Sequence, residues 1–509
     1  MKKERRLLGS LLFVLLFAGL ISLPAWAKKG NAKAAPPPTW VELGENGAII
    51  ARQVLTPSST GLAPTCPSIQ INGVATQMQA RGPVPENFLT VCQAVIPNGA
   101  TSASIGSIQL PLPKATISKI VLIGDTGCKG DTTGTGKKVT PIEEPDEQEE
   151  AAEEAAPVSA ASASGDKSKS KSKSHSKPKS KQDCPKKSDW PFSTVAKHAA
   201  DEKPDLVIHV GDYVYVKGDN WENWTAQFFG PAHDLLLAAP WIFVRGNHEI
   251  CSLHPGFFYL LDPRSTTTCA NNNTPPYLVK AGGSQFLVMD SSGALCDFSP
   301  TEPGGCSQPD FTQEINTWTG LFTQAKQLLG SGNAFLLTHR PLWGIKVPTG
   351  ANPSGFCQAP QKKVLVAINS TMQAGYEKSG ITGIKMVLSG HIHNFQLITY
   401  QPQNPGVSPQ PQLVVGDSGV ELSTPPPSSF TSCKLTAQNG SLNLSTFQGM
   451  KEFGYGVLTS DASKFDLYLK KGERALKCDI DPNNATCKAQ ALPVKKAKSA
   501  ASAGSAKSK

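Results

Sequence analysis

Five places in the chain put an aspartate, an asparagine or a histidine just after a short apolar run. They are Asp125 in ISKIVLIGDTG, Asp212 in DLVIHVGDYVY, Asn247 with His248 in PWIFVRGNHE, His339 in NAFLLTHRP, and His391 with His393 in GIKMVLSGHIHN. Carboxylate, amide and imidazole are oxygen and nitrogen donors suited to transition metals. Each occurrence alone also reads as a hydrogen-bonded structural residue. GHIHN is the most specific, because imidazoles at i and i+2 converge on neighbouring ions once the chain leaves a strand. Five strand ends delivering the same donor chemistry point to a metal site.

Those side chains reach one place only if the preceding elements carry them there. The β-branched run Leu206 to Val210 reads as a buried strand stopping at Gly211. From Ile117 such runs alternate with helical stretches, FSTVAKHAADE and EINTWTGLFTQAKQLLG among them, the rhythm of an α/β domain with a substantially buried sheet. In that architecture ligands bind in the crevice at the carboxyl ends of the strands. Taken alone, Tyr215 reads as a half-buried aromatic closing a strand. Alternation would point Asp212 and Tyr215 to opposite faces, so both meet one ion only if the strand ends at Gly211 and the chain turns. His209, inside the run, reads as structural. VVGDSGVELS at 414–423 repeats a GD with no tyrosine three positions on, and reads as a glycine turn lining the cleft.

The ordered series GDTG, GDYVY, GNHE, THRP, GHIHN resembles the calcineurin-like metallophosphoesterases, and more narrowly the purple acid phosphatases, over about residues 117–400 without the low-complexity insert. The resemblance implies a metallophosphoesterase α/β sandwich, two β-sheets flanked by helices. The wider superfamily opens with Asp-x-His, whereas Asp125-Thr126-Gly127 has glycine at the histidine position. Purple acid phosphatases share this loss and use the tyrosine of GDxxY, which is Tyr215 here. By resemblance, Asp125, Tyr215 and His393 hold one metal, Asn247, His339 and His391 hold the other, and Asp212 bridges both. A phenolate ligand suits a trivalent ion, so Fe(III) is expected beside divalent Fe, Zn or Mn. Such a pair implies hydrolysis of phosphomonoesters by direct attack of metal-bound hydroxide, without a phosphoenzyme.

In this reading His248 matches the family's substrate-facing histidine and is the candidate acid. Arg340 either binds a phosphate oxygen or pairs with a surface carboxylate. THRPLWG lacks the further histidines of the plant-type enzymes; His254 and Arg245 either replace them or serve hydrogen bonding in the core or at the surface. A phosphodiesterase or nucleotide hydrolase on the same metals is the rival within the class. Outside it stands a catalytically silent surface binding protein, against which the intact set of seven ligands counts.

The rest of the chain bounds the setting. Residues 1–27 read as a signal peptide, with Lys2, Lys3, Arg5 and Arg6, an apolar run from Leu7 to Leu23 and the Ala25-Trp26-Ala27 box. No other segment spans a bilayer, so the mature chain is expected to be secreted or periplasmic, without a transmembrane segment. Twelve cysteines and no CxxC pair fit disulfides in an oxidising space. Cys66/Cys92 and Cys478/Cys487 read as local staples, and a Cys128/Cys184 bridge would close the insertion at its base. The formal charge of +9 lies largely in the termini, which leaves a near-neutral or slightly acidic body and no basic surface for nucleic acid. Residues 28–115 read as a small β-sandwich-like domain and 116–480 as the metallophosphoesterase domain. The 129–183 insertion, with its acidic block and Ser-Lys repeat, and the basic tail at 488–509 read as disordered. Their basic runs read as solvated, the alternative being contact with an anionic envelope or nucleic acid.

Overall fold

Parallel strands covered on both faces are written as continuous apolar runs, and that is how the strands carrying the site are built. The computed structural model describes residues 37–56, 64–129, 184, 189–294, 296, 307–347, 369–401, 409–426, 435–437 and 440–490. The signal-peptide reading, the insertion beyond Lys129 and the tail beyond Gln490 fall outside the described residues, while Lys488 and Ala489, read as the start of a disordered tail, belong to the strand Asn484–Ala489 because they pair with Lys477 and Leu476.

The N-terminal region is all β, as expected: β1 (Thr39–Leu43), β2 (Ile49–Val54), β3 (Ser68–Ile71), β4 (Val74–Gln77), β5 (Gln79–Ala80), β6 (Val91–Ile96), β7 (Ala103–Ile105) and β8 (Ile108–Gln109). Then come β9 (Lys119–Ile123), β10 (Leu206–His209), β11 (Trp241–Phe243), β12 (Tyr277–Ala281), β13 (Ser284–Val288), β14 (Ala334–Leu337), β15 (Ile384–Ser389), β16 (Phe395–Tyr400) and β17 (Gln412–Val415). The C-terminal strands are β18 (Leu435–Ala437), β19 (Gly440–Leu442), β20 (Leu444–Met450), β21 (Gly454–Thr459), β22 (Lys464–Leu469), β23 (Arg474–Asp481) and β24 (Asn484–Ala489).

Two large sheets result. One has eleven strands in the order β24-β23-β22-β21-β9-β10-β11-β1-β2-β6-β5, the other seven in the order β12-β13-β14-β15-β17-β16-β20. The strands before the five donor positions divide between them. β9, β10 and β11 are parallel neighbours in the first sheet, and β14 and β15 are parallel neighbours in the second.

Alternation along each strand feeds two apolar layers. Ile120, Leu122, Leu206, Ile208 and Ile242 face Phe335, Leu337, Met386 and Leu388 between the sheets. Val121, Ile123, Val207, Trp241 and Phe243 turn the other way, onto the helix Phe192–Asp201 and the segment 224–236. Leu287, Leu336 and Val387 pack on the helices Gln308–Leu329 and Ser370–Ser379. The architecture is therefore two sheets with helices outside both.

The N-terminal strands do not stand apart from this frame. β1 pairs parallel with β11, so hydrogen bonding crosses the 115/116 limit read from the sequence. Two buried arginines reinforce the join. Arg52 binds Glu42 at 2.8 Å and donates to the Leu260 and Asp262 carbonyls at 2.8 and 2.7 Å. Arg81 donates to the carbonyls of Phe258, Tyr259, Asp262 and Arg264 at 2.7–2.9 Å. Together they satisfy the carbonyl end of the helix Gly256–Leu260, which has no intrahelical partners. Disulfides join Cys66–Cys92, Cys128–Cys184 and Cys478–Cys487, the three expected pairs, and also Cys251–Cys269. No described helix is long and apolar enough to cross a membrane.

Candidate metal centre

Three of the donor residues occupy backbone geometry that side chains normally avoid. Asp125, Asp212 and His391 have φ of 54°, 61° and 69°, and each follows the glycine that closes its strand run. The left-handed region costs an L-residue about 1–2 kcal/mol, so the surroundings must impose it. At Gly211, φ is 104°, and a Cβ there would lie 2.4 Å from Nδ1 of His339. The turn anticipated at Gly211 is present and continues through Asp212 itself.

The strained turns brace one another. Asp125 N donates to the Gly211 carbonyl and Thr126 N to the Asp212 carbonyl, both at 2.9 Å. His391 N donates to the Asp125 carboxylate at 3.0 Å. The buried Glu249 carboxylate accepts from Asp212 N, Tyr213 N and Gly246 N at 3.1, 2.9 and 3.1 Å, clamping the GDYVY turn to the GNHE turn. His209 accepts from Gly211 N through Nδ1, so its Nε2 proton faces Thr126 Oγ1 at 2.8 Å. Ser291 Oγ accepts from His339 N and Arg340 N at 3.0 and 2.9 Å. Glu249 and Ser291 were not singled out in the sequence. Ser291 had a readable signal, since VMDSSG is one more strand end, following β13.

All seven predicted ligand positions converge. Tyr215 Oη donates to Asp212 Oδ2 at 3.0 Å and lies 3.3 Å from both Asp125 Oδ1 and His393 Nε2. His393 Nε2 is 3.6 Å from Asp125 Oδ1. In a second group, Asn247 Oδ1 sits 2.8 Å from His339 Nε2 and 2.9 Å from His391 Nδ1. Asp212 Oδ2, 3.2 Å from His339 Nε2, touches both groups. A carboxylate, a phenol and an imidazole on one side, and an amide and two imidazoles on the other, are donor sets that fit two metal ions sharing one carboxylate.

Tyr215 and Gly127 are sterically reciprocal. A Cβ at Gly127 would fall 2.6 Å from Cδ2 of Tyr215, 2.7 Å from the Tyr213 carbonyl and 2.8 Å from Oε1 of Gln227. The phenol fills the space that a residue-127 side chain would enter. Gln227 Oε1 accepts from Tyr215 N and Cys128 N, both at 2.9 Å, and so fixes the two segments against each other. Gln227 lies in a π-helical turn, Thr225–Phe229, a geometry that recurs near functional sites.

Electrostatics follow from burying like charges together. Burial and the neighbouring Asp212 charge push the Asp125 carboxyl well above its ordinary range, while the charge of His339 and its own hydrogen bonds pull it back. Burial opposes ionisation of Asp212 too, yet His339, His248 and their hydrogen bonds hold it well below the usual carboxylate range. Burial pushes the His339 ring down, but the Asp212 and Asp125 carboxylates outweigh it and lift the ring to about 9. Burial, Asp212 and Asp125 hold the Tyr215 phenol well above its ordinary range, so its proton leaves only in exchange for a strong cation. Burial and the Arg340 charge keep His391 neutral, the form that ligates.

His248 sits at the edge of this cluster. Its N–H donates to Asp212 Oδ1 at 3.0 Å and its ring lies 4.1 Å from that of Tyr215. Arg340 Nη1 is 3.4 Å from Nε2 of His391, which places the guanidinium at the site. Arg245 is engaged by Asp290 at 2.9 Å and by the Glu249 and Asn271 carbonyls, so it is a core hydrogen-bonding residue. His254 is buried beneath the site. Asp417 of the second GD is fully buried, and Val420 N of the same turn donates to the Asp125 carbonyl at 2.9 Å.

Strand-end carboxylates and imidazoles from two sheets are gathered into one cluster whose donors could hold metal. A family model for calcineurin-like phosphoesterases matches residues 118–395, more than half of the chain, and the protein belongs to that family. It is a phosphoric ester hydrolase, and the family implies a metal site of the kind the donor set fits. No curated protein matches its sequence. Among solved structures it is similar to a purple acid phosphatase from yellow lupin (Lupinus luteus) seeds, at 14% identity and a TM-score of 0.43, covering 86% of this chain and 73% of that one. It is similar to PhoD at 10% identity and a TM-score of 0.43, covering 91% and 94%. A dimetal phosphatase from Danio rerio follows at 11% identity and a TM-score of 0.31, covering 69% and 95%.

Proposed function

We propose that the protein is an exported phosphomonoesterase of the purple acid phosphatase type. Asp125, Tyr215 and His393 would hold Fe(III), Asn247, His339 and His391 would hold a divalent ion, and Asp212 would serve both. The observation that carries this reading is the position of Tyr215 Oη, within 3.3 Å of Asp125, Asp212 and His393. When bound, such a pair would supply an acidified water and positive charge for the phosphoryl oxygens. The chain's own residues do the remainder. Asp212 and Asp125, fixed by the paired turns, keep the phosphate-binding face rigid. Arg340 neutralises a non-bridging phosphate oxygen beside His391. His248, over the Tyr215 ring, gives its proton to the departing ester oxygen. Export is supported by the signal-like residues 1–27 and by the disulfides, which belong to oxidising compartments.

Metal analysis and a visible spectrum of the purified protein test the assignment. A tyrosinate-to-Fe(III) band that disappears in Tyr215→Phe is expected, together with greater turnover of phosphomonoesters than of diesters. A colourless zinc or manganese protein whose spectrum is unchanged by the substitution overturns the purple-type assignment. Preference for diesters would move the reading to a phosphodiesterase on the same site.

A further inference from the structure

His254 plays no part in the chemistry assigned above, yet it touches both halves of the site. The ring is only 3% exposed, too buried to meet a substrate. Its Nδ1 lies 2.7 Å from the carbonyl oxygen of His248 and its Nε2 lies 2.8 Å from the carbonyl oxygen of Val216. A carbonyl oxygen only accepts, so both bonds form only when both ring nitrogens carry protons. That makes the ring a cation, and the charge-assisted bonds it donates are the strong kind. Asp219 lies on the same side of the site. Burial lifts its carboxyl, which is anchored by Trp224 Nε1 at 2.9 Å and Gly256 N at 2.8 Å.

The consequence falls on His248. Its N–H is held by Asp212 and its carbonyl by His254, so both main-chain groups of the proton donor are pinned. The same ring grips the residue immediately after Tyr215, whose aromatic face supports the His248 ring. We propose that His254 is a positioning residue, a doubly protonated imidazole that locks the proton donor His248 to the segment bearing Tyr215. The proposal rests on the acid role given to His248 above.

Leaving groups separate positioning from plain stability. A nitrophenolate departs without a proton, whereas an alkoxide needs one, so only alkyl phosphates feel a misplaced acid. In the full-length enzyme, His254→Phe should lower kcat on glycerol 2-phosphate at least about 10-fold more than on p-nitrophenyl phosphate, within the 10²–10⁴ range of general acid catalysis. His254→Asn puts its amide nitrogen at the Nδ1 position, keeps only the bond to His248, and should recover part of the alkyl ester rate. His254→Gln places its amide at Nε2 and should not.

With ¹⁵N-labelled histidine, the wild type should give two protected ring N–H signals that are missing from His254→Phe. Equal losses on both esters that follow a lower Tm in all three variants, or a single ring N–H signal, overturn the positioning role. If His248→Ala slows both esters alike, the acid assignment falls and takes this proposal with it. A selective alkyl-ester loss in His248→Ala without one in His254→Phe removes the positioning role alone.

Discussion

Any side chain at position 127 meets the ring of Tyr215 at 2.6 Å, so the two positions choose the first metal's environment together. Gly127→Ala should push the phenol off its carboxylate partners. The expected outcome is loss of the tyrosinate band and a destabilisation of about 1–3 kcal/mol from overpacking, read by the visible spectrum and by urea unfolding. A normal band in Gly127→Ala would show that the space can relax. Asp417 makes a prediction of another kind. Neither carboxylate oxygen bonds to another residue, and burial lifts the group from 3.8 to about 7. Below pH ~4 both folded and unfolded chains hold the proton, and the shifted titration takes nothing from stability. Between pH ~4 and 7 only the folded chain keeps it, so stability falls as pH rises, by on the order of 4 kcal/mol in total. Asp417→Asn should raise Tm at pH 7, leave it nearly unchanged at pH 4, and flatten the profile between. Thermal unfolding across that range checks it, and equal shifts at both pH values would rule out titration as the cause.

Turns, rather than strands, carry the precision of the site. β9 and β10 end in register, Ile123 opposite His209, but the donors are aimed by the strained residues beyond them. Glu249 is the clamp for two of those turns, taking N–H groups from both. Glu249→Ala should leave these buried donors without acceptors, at about 1–3 kcal/mol for each one not rehydrated. Bound metal should drop below two ions per chain, while Glu249→Gln, which keeps one oxygen, should lose less. Metal content measured on both variants decides this, and full occupancy in Glu249→Ala would mean that the turns hold without the clamp.

At the scale of the molecule, the N-terminal strands belong to the same sheet as the strands that bear Asp125, Asp212 and Asn247. Arg52, fully buried against Glu42, is part of that join. Removing one partner strands a buried charge, so Arg52→Ala should lower the unfolding free energy by about 3–5 kcal/mol. A single denaturant transition should persist, reporting both regions at once. Two separated transitions would mean that the N-terminal region folds by itself.

Much of this was legible in the chain. Apolar runs ending in glycine announce buried strands, and the donor at each end announces its chemistry, because a strand's period and a ligand's donor atoms are local properties. The expected disulfides at Cys66–Cys92, Cys128–Cys184 and Cys478–Cys487 were likewise visible as spacing. Other features depend on distance in space and have no local signature. That the five strands divide between two sheets, that Gly127 yields its volume to Tyr215, and that Glu249, Ser291 and His254 grip backbone groups elsewhere in the fold were decided by packing. Donor identity is written residue by residue, but strain, steric exclusion and buried hydrogen bonds exist only once distant segments share the same few ångströms.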